Sequence, residues 1–412
     1  MQFYEGLHSK GKIKESLNSL TSLEIKKSMR TILCCFICVL MVLSCSDDPI
    51  REHAIISFSP MSEGPGNEVR ITGVGFGKEL QDVTIAFNGT LSSVLSVSDT
   101  LLITEVPRGA STGPIQVAIS GLQSSSSTDF VVLSGLWSQK SDIPSEVGFG
   151  AAVSFVSGGT GYVGTGGDNG RILDNFRAYE PETDRWSILP SIPGGPRRFC
   201  SAFVIKHRAY IVLGVKDNET EITREFYSLD LLSGRWNRLR DFTGNLPVFR
   251  DTYATFVIGN TGYLVLEKEI RSYNPEIDEW AQEDLYPGMG SSNHISEVID
   301  GLAYIGLGFN DAFDWWSYDP QEKEWKSLKT FPGEWTWGLQ SFQIQGKIYV
   351  VGKQCWAYDP NTDQWSQMTS HPDGRRFAIG FMLNDKGYFG AGMSIENRSP
   401  LFQKDFWEFE PE

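Results

Sequence analysis

Tyr358-Asp359-Pro360-Asn361-Thr362-Asp363-Gln364-Trp365 is one copy of a phrase that returns through the C-terminal part of the chain. Tyr318-Asp319-Pro320 leads to Trp325, Tyr273-Asn274-Pro275 to Trp280, and Tyr179-Glu180-Pro181 to Trp186, each with seven residues from Tyr to Trp. Tyr227 to Trp236 is a looser copy, nine apart and without the proline. Proline sets φ and drives the residue before it into extended geometry. The Asp, Asn, Thr and Gly cluster supplies turn chemistry. The phrase therefore spells strand, tight turn, strand, and its return at a long, nearly fixed interval predicts a repeat architecture.

The tryptophans Trp137, Trp186, Trp236, Trp280, Trp325 and Trp365 are spaced by 49, 50, 44, 45 and 40 residues. Within each unit a second hairpin recurs, anchored by Phe155/Tyr162, Phe203/Tyr210, Phe256/Tyr263, Phe342/Tyr349 and Phe381/Tyr388. Val298/Tyr304 reads as a shorter version of that pair. Each unit thus holds four strands, a to d. The sixth unit runs through Phe377–Leu383, Gly387–Gly390 and Phe406–Phe409 and lacks strand d. The first unit has a strand too many, Leu136–Lys140, which is expected to complete the sixth blade and close a ring.

Four strands per unit, with glycine after strand b and Trp opening strand d, resemble the Kelch repeat. The family's double glycine stands clearly only at Gly166-Gly167, with degraded forms at Leu213-Gly214, Leu266-Glu267 and Val351-Gly352. The resemblance implies a six-bladed β-propeller over residues 136–412, in which each blade buries both faces against its neighbours and no edge is left free.

Residues 54–133 change register to short alternating strands with Gly-rich turns. The candidates are Ala54–Ser59, Glu68–Gly73, Val83–Phe87, Ser92–Val97, Leu101–Glu105, Ile115–Ile119 and Thr128–Val132, with Ser124–Ser127 as a polar loop. Seven short strands of this kind predict an immunoglobulin-like β-sandwich. Phe58-Ser59-Pro60, Val69 to Phe76, Phe87-Asn88-Gly89 and Thr112-Gly113-Pro114 resemble an IPT/TIG domain. That resemblance implies a spacer or a binding platform, and the position of the module favours a spacer. The whole is read as an all-β protein, an immunoglobulin-like sandwich followed by a six-bladed Kelch-type propeller.

With 36 Lys+Arg against 51 Asp+Glu the net charge is −15, which excludes a basic nucleic-acid footprint. Thr31–Leu43 is an apolar run too short for an ordinary membrane span, and Lys26, Lys27 and Arg30 precede it in the charge order of a secretory signal. It ends at Leu43-Ser44-Cys45, which resembles a bacterial lipobox. The resemblance implies a signal peptide over residues 1–44 (or starting at Met29), cleavage before Cys45, lipidation of that cysteine and a short linker over 45–53. Ser46 with Asp47-Asp48 resembles the signals that send lipoproteins to the outer membrane and the cell surface. Of the remaining cysteines after cleavage, Cys200 and Cys355 lie in different units and read as core or loop thiols. No CxxC metal pattern survives there, and no cofactor is expected.

Antiparallel order puts the b–c loops and d–a connections on one face of a propeller. The b–c spans are longest in units one, two and six, which are adjacent around a ring, and variable loops on a rigid scaffold are where function concentrates. Beside the channel on that face, counting back from the strand-a anchors, stand Gly150, Arg198, Asp251, Asn293, Trp337 and Arg376, preceded by Phe149, Arg197, Arg250, Ser292, Thr336 and Arg375; His294 and Trp335 are close by. Arginine offers a planar donor fork for carboxylates and tryptophan a stacking face. The candidate ligand-binding set is therefore Arg197, Arg198, Arg250, Asp251, Asn293, His294, Trp335, Trp337, Arg375 and Arg376, for a glycan or a partner protein. Arginines in such loops also serve simply to bond neighbouring loops. The few scattered histidines offer no copper ligand set. A six-bladed Kelch ring also resembles sialic-acid mutarotases, for which Arg198, Arg376 and Asp251 are the positional candidates. The expectation is a non-catalytic surface lipoprotein, with a sugar mutarotase or a protein-interaction scaffold as the alternatives.

Overall fold

The computed structural model describes residues 52–411 apart from 169, 217–221 and 395–400. The signal segment, Cys45 and Ser46-Asp47-Asp48 lie outside the described residues. Nearly all that is described belongs to one compact unit, Ala54–Glu412.

Residues Ala54 to Val132 form two sheets face to face. One orders Ala54–Ser59, Glu68–Val74, Leu101–Glu105 and Val94–Val97. The other orders Ser62–Glu63, Leu122–Val132, Gly113–Ile119, Val83–Phe87 and Thr90–Ser92. Alternation explains the packing: Val69, Ile71, Ile85, Leu102, Ile115 and Val117 point inward and are buried, while their neighbours face out. Two expectations need correction. The stretch Ser92–Val97 breaks at Ser93, and its halves join different sheets. Ser124–Ser127 is not a loop but part of the long strand Leu122–Val132, with Ser124 opposite Val117 and Ser125 opposite Gln116. The serine stretch pairs on one side only and is largely solvent-facing, which tolerates serine, so polarity alone misled there.

The remainder forms six four-stranded antiparallel sheets. Their inner strands are Val153–Ser157, Arg197–Ile205, Thr255–Ile258, Ile295–Ile299, Gln340–Ile344 and Ile379–Leu383, and each neighbours the next around a closed ring. The sixth blade is completed as expected. Leu136–Lys140 pairs with Phe406–Glu410, Trp137 opposite Phe409 and Lys140 opposite Phe406.

The recurring phrase is a blade-to-blade latch. Tyr179, Tyr273 and Tyr358 donate their hydroxyls to Asp184, Asp278 and Asp363 in the c–d turn, at 2.8–2.9 Å. Each aspartate adopts a left-handed φ of 50–54°. Each also accepts a backbone N–H from the preceding blade, of Ser141, Arg240 and Lys329 respectively. At two of these junctions the Trp indole N–H reaches across as well, Trp186 to the Ser141 carbonyl at 3.0 Å and Trp365 to that of Lys329 at 2.9 Å, and Trp236 makes the same reach from blade two to the Pro190 carbonyl of blade one at 3.0 Å. Trp137 does the same from the borrowed strand, to the Thr369 carbonyl at 2.9 Å.

Thr369 also ties the sandwich to the ring. Its hydroxyl sits among the carbonyls of Leu133, Ser134 and Gly135, nearest to Gly135 at 2.6 Å. Next to it, Asn67 Nδ2 donates to the Ser370 carbonyl at 2.8 Å and the Ser370 N–H donates to Glu63 Oε1 at 3.0 Å. Cys200 and Cys355 are both buried free thiols, and burial pushes Cys200 up to about 12.

Deleting Leu136–Lys140 is expected to strip hydrogen-exchange protection from Phe406–Phe409 before any other blade, and Trp137→Ala to cost about 3–5 kcal/mol in a denaturant titration. Unchanged protection at Phe406–Phe409 would refute the clasp.

Candidate functional site

The inner strands set the geometry of the channel. In five blades a Phe on strand a faces a Tyr on strand b, with the rings stacked within 25° of parallel: Phe155/Tyr162, Phe203/Tyr210, Phe256/Tyr263, Phe342/Tyr349 and Phe381/Tyr388. Blade four breaks the rule. The residue opposite Tyr304 is Glu297, and Val298 faces Ala303 instead. The Val298/Tyr304 pairing is therefore corrected by one residue. Since a one-residue shift exchanges the faces of a strand, the position of Asn293 changes too. Ser292 stands level with Arg198, Asp251, Trp337 and Arg376, whereas Asn293 joins Ala151, Phe199, Thr252, Gly338 and Phe377 one step nearer the channel.

That inner step is a belt of backbone hydrogen bonds. Phe377 N–H donates to Gly338, Ala151 to Phe377, Phe199 to Ala151, and Asn293 to Thr252, at 2.8–3.0 Å. Ala151, Phe199, Asn293, Gly338 and Phe377 reach it with φ between 51° and 70°. Left-handed backbone at a bulky residue is uncommon and needs its surroundings to hold it. Here it turns the Phe199 and Phe377 rings toward each other, with centroids 6.1 Å apart. The aromatic chain continues from Phe377 to Trp337 at 5.7 Å, Trp337 to Phe309 at 6.1 Å and Phe309 to Phe249 at 5.8 Å. Rings from blades two to six thus line the mouth, and Phe249 and Phe309 are solvent-exposed.

The paired arginines divide by the alternation of a strand. Strand a of blade two is nine residues long, because its rim end pairs upward, Arg197 with Lys216 and Arg198 with Val215. In blade six Arg375–Arg376 forms a small sheet with Met393–Ser394 and Leu401–Phe402 from the long b–c loop. Neighbouring side chains on such strands point to opposite faces. Arg197 turns inward, fully buried, and donates Nη2 to Glu225 Oε2 at 2.8 Å. Arg375 turns inward too and grips both oxygens of Asp405 at 2.8 and 2.9 Å, with Asp373 Oδ2 at 3.0 Å. Both bond one loop to another and have no face left for a ligand.

Arg376 turns outward. Its guanidinium carbon lies 4.1 Å from the Trp335 ring centroid and 3.8 Å from that of Trp337, and the buried Nε has no hydrogen-bond partner among the described residues. Burial lowers its pKa. Arg198 is its counterpart on blade two, 5.3 Å from the Phe199 ring and, among the described residues, bonded only through Nη1 to the Asp168 carbonyl at 3.3 Å.

Asp251 accepts hydrogen bonds from Ser292 Oγ at 2.9 Å, the Thr252 N–H at 3.0 Å and Asn293 Nδ2. Burial raises its carboxyl, against those three donors. It is held as an acceptor at the mouth, while Arg250 beside it is exposed. His294 is buried against Tyr286, and burial holds it neutral at about 4; it belongs to the core and not to the mouth.

Below the mouth the channel holds two chambers of about 200 and 360 Å³. Thr255, Ser296, Glu297, Ser341 and Gly380 line both, so Glu297 stands where they meet. Its Oε1 accepts the Ser341 hydroxyl at 2.7 Å, and burial raises the carboxyl to about 7. Reading by composition missed Glu297, Phe199, Phe377, Phe309 and Phe249. The missing Phe in the fourth repeat was the available signal for Glu297. Among the described residues no three His, Cys, Asp or Glu side chains are placed to hold a metal ion.

An IPT/TIG domain model matches residues 54–132. The chain is similar to N-acetylneuraminate epimerase 1 of Escherichia coli O6:H1, 24% identical over 225 residues, or 51% of this chain and 55% of that protein. It is similar to Kelch-like protein 35 of Mus musculus, 24% identical over 185 residues, or 42% of this chain and 30% of that one. The chain spans about half the length or less of these curated relatives. The solved structure of YjhT matches with a TM-score of 0.54 at 12% identity, over 65% of this chain and 96% of that one, a likeness of fold alone. The fold is thus all-β, an IPT/TIG immunoglobulin-like module followed by a six-bladed Kelch-type propeller.

Arg375→Ala is expected to lower stability by about 3–5 kcal/mol, because Asp405 stays behind unpaired, whereas Arg376→Ala costs about 1 kcal/mol or less by chemical denaturation. A raised carboxyl also predicts a pH slope. The penalty for ionising Glu297 is absent below the ordinary carboxylate range, grows as pH rises from there to about 7, and is constant above that. Stability curves of wild type and Glu297→Gln should therefore run together in acid, diverge between the ordinary carboxylate range and about pH 7, and hold a constant gap above it, with the variant the more stable. Parallel curves throughout would show a solvated carboxylate.

Proposed function

We propose that the propeller is a binding domain that takes a carboxylate-bearing sugar of a glycan at its mouth, on a lipoprotein anchored through Cys45 in the outer membrane and facing the cell exterior. The observation that carries this is Arg376: a guanidinium with no acidic partner among the described residues, lying over both Trp335 and Trp337. A stacked arginine keeps its in-plane donors free for a carboxylate, and the aromatic chain beside it offers the apolar face of a sugar ring a surface to stack on. Arg198 and Asp251 add a second donor and a fixed acceptor. The similarity to an N-acetylneuraminate epimerase supports an acidic sugar as the ligand class. The IPT/TIG module serves as the spacer between anchor and ring.

A mutarotase is the second reading, and Glu297 favours it. Anomerisation needs a group that takes the anomeric hydroxyl's proton and returns one to the ring oxygen, and a carboxyl raised to about 7 suits both steps. Distance weighs against it. Glu297 lies within the inner strand Ile295–Ile299, below the belt that Asn293 joins. Hydrogen-bond reach is only about 3 Å. Arg376 does not line either chamber that Glu297 joins, so catalysis would require the sugar to leave Arg376 for the chamber below.

Calorimetry with N-acetylneuraminic acid is expected to show binding that weakens on the order of tenfold to a hundredfold in Arg376→Ala, with the melting temperature little changed. Binding unaffected by Arg376→Ala sinks the mouth as the site. An NMR anomerisation assay decides the second reading: catalysed exchange lost in Glu297→Gln establishes a mutarotase. Silence in both assays favours a protein-interaction scaffold. For the anchor, metabolic labelling with a fatty acid is expected to mark the wild-type chain and not Cys45→Ser, and protease added to whole cells to remove it. Labelling that persists in Cys45→Ser rules that anchor out.

A further inference from the structure

We infer that the ligand runs on from the mouth into the cleft between the immunoglobulin-like module and the propeller, and that this cleft takes neutral sugar residues of an oligosaccharide. The inference rests on the reading of the mouth as a site for an acidic sugar, and it gives the module a share in binding.

Three observations carry it. First, a cleft of about 810 Å³ opens between the two modules, lined by Glu63, Asn67, Glu68 and Arg70 on one side and by Glu334 and Lys353, among others, on the other. That volume lies within the range of small-molecule sites. Its walls are fixed relative to each other, since Glu63 and Asn67 both bond the Ser370 backbone. A module serving only as a spacer has no need of such a brace.

Second, the cleft adjoins the mouth. Lys353 lines the cleft and places its ammonium 5.6 Å from the Trp335 ring centroid, while Arg376 lies 4.1 Å from the same ring. Trp335 is thus the partition shared by both. A chain of sugars whose acidic residue is held at Arg376 is directed past Trp335 toward the module.

Third, the charges in the cleft suit a neutral, hydroxyl-rich ligand. Each cation carries its own anion, Arg70 with Glu68 at 2.8 Å and Lys353 with Glu334 at 2.8 Å, and all four side chains are about half exposed. Such pairs present donors and acceptors together, and Glu63, whose carboxylate takes the Gly64 and Ser370 N–H groups, leaves the wall slightly acidic, which sugar hydroxyls accept and a polyanion does not. His371, buried in the wall, is held neutral at about 3 by burial and by Arg375, so it adds no charge.

The test uses the full chain and two probes, N-acetylneuraminic acid and a trisaccharide carrying N-acetylneuraminate on lactose. Calorimetry is expected to give the trisaccharide an affinity at least about tenfold the higher. The double variant Glu68→Ala/Arg70→Ala, on the module's side of the cleft and on an exposed strand face, should abolish that gain and leave the monosaccharide affinity unchanged. Equal affinities for the two probes, or a gain that survives in the variant, overturn the cleft and leave the mouth standing. Binding of neither probe overturns the reading of the mouth and the cleft with it. A melting curve for the double variant matching wild type excludes misfolding as the cause.

Discussion

The ring depends on one repeated contact, in which a buried tyrosine fixes a turn aspartate and a tryptophan beside it reaches back to the blade before. A propeller blade is held within itself by backbone ladders, but nothing in a ladder tells one blade where to stand against the next. At three junctions the Tyr–Asp bond shapes the left-handed turn, and the same aspartate takes a backbone N–H from the neighbouring blade. At two of these junctions the indole N–H adds a second directional bond. Directional bonds on the rim complement the non-directional packing of Phe and Tyr near the channel. The first sets orientation and the second supplies most of the burial.

The strand pattern and the closure were legible because both rest on chemistry that is local in the chain. Proline, the turn residues and the Tyr–Trp interval show where hairpins lie, and the surplus strand at Leu136–Lys140 matches the deficit at Phe406–Glu410. Legibility failed where a contact is long-range or a repeat departs from its own rule. Aligning the fourth unit on its nearest apolar residue put Val298 in the Phe position, though the pairing places Glu297 there. An apolar anchor is a fair default for a core strand, and a carboxyl at the meeting of two chambers is the exception. Ser124–Ser127 failed for the opposite reason: its strand is set by its partner and not by its own composition.

The candidate site shows the same division. The arginine-rich mouth was legible, but which arginine faces a ligand was not, since Arg197 and Arg198, or Arg375 and Arg376, are indistinguishable as letters. The strand face separates them. One of each pair spends its donors on Glu225 or Asp405, and the other keeps them. The inner member is what makes the outer one useful, because a rim tied down by buried ion pairs holds the half-buried guanidinium in place. The aromatic chain was hidden more deeply. It depends on left-handed backbone at Phe199 and Phe377, which no propensity favours at phenylalanine.

The clasp of the sixth blade also sets an order of events in time. Leu136–Lys140 leaves the ribosome before any of the blades, and Phe406–Glu410 after all of them. The first strand therefore has no partner for the whole of the ring's synthesis. Five blades can collapse in sequence as they emerge, each latching to the last, while the immunoglobulin-like module folds ahead of them. The ring itself closes only once Phe406–Glu410 has been made. Until then an unpaired strand edge stays open at each end of a curved stack, the period in which a chaperone would have most to protect.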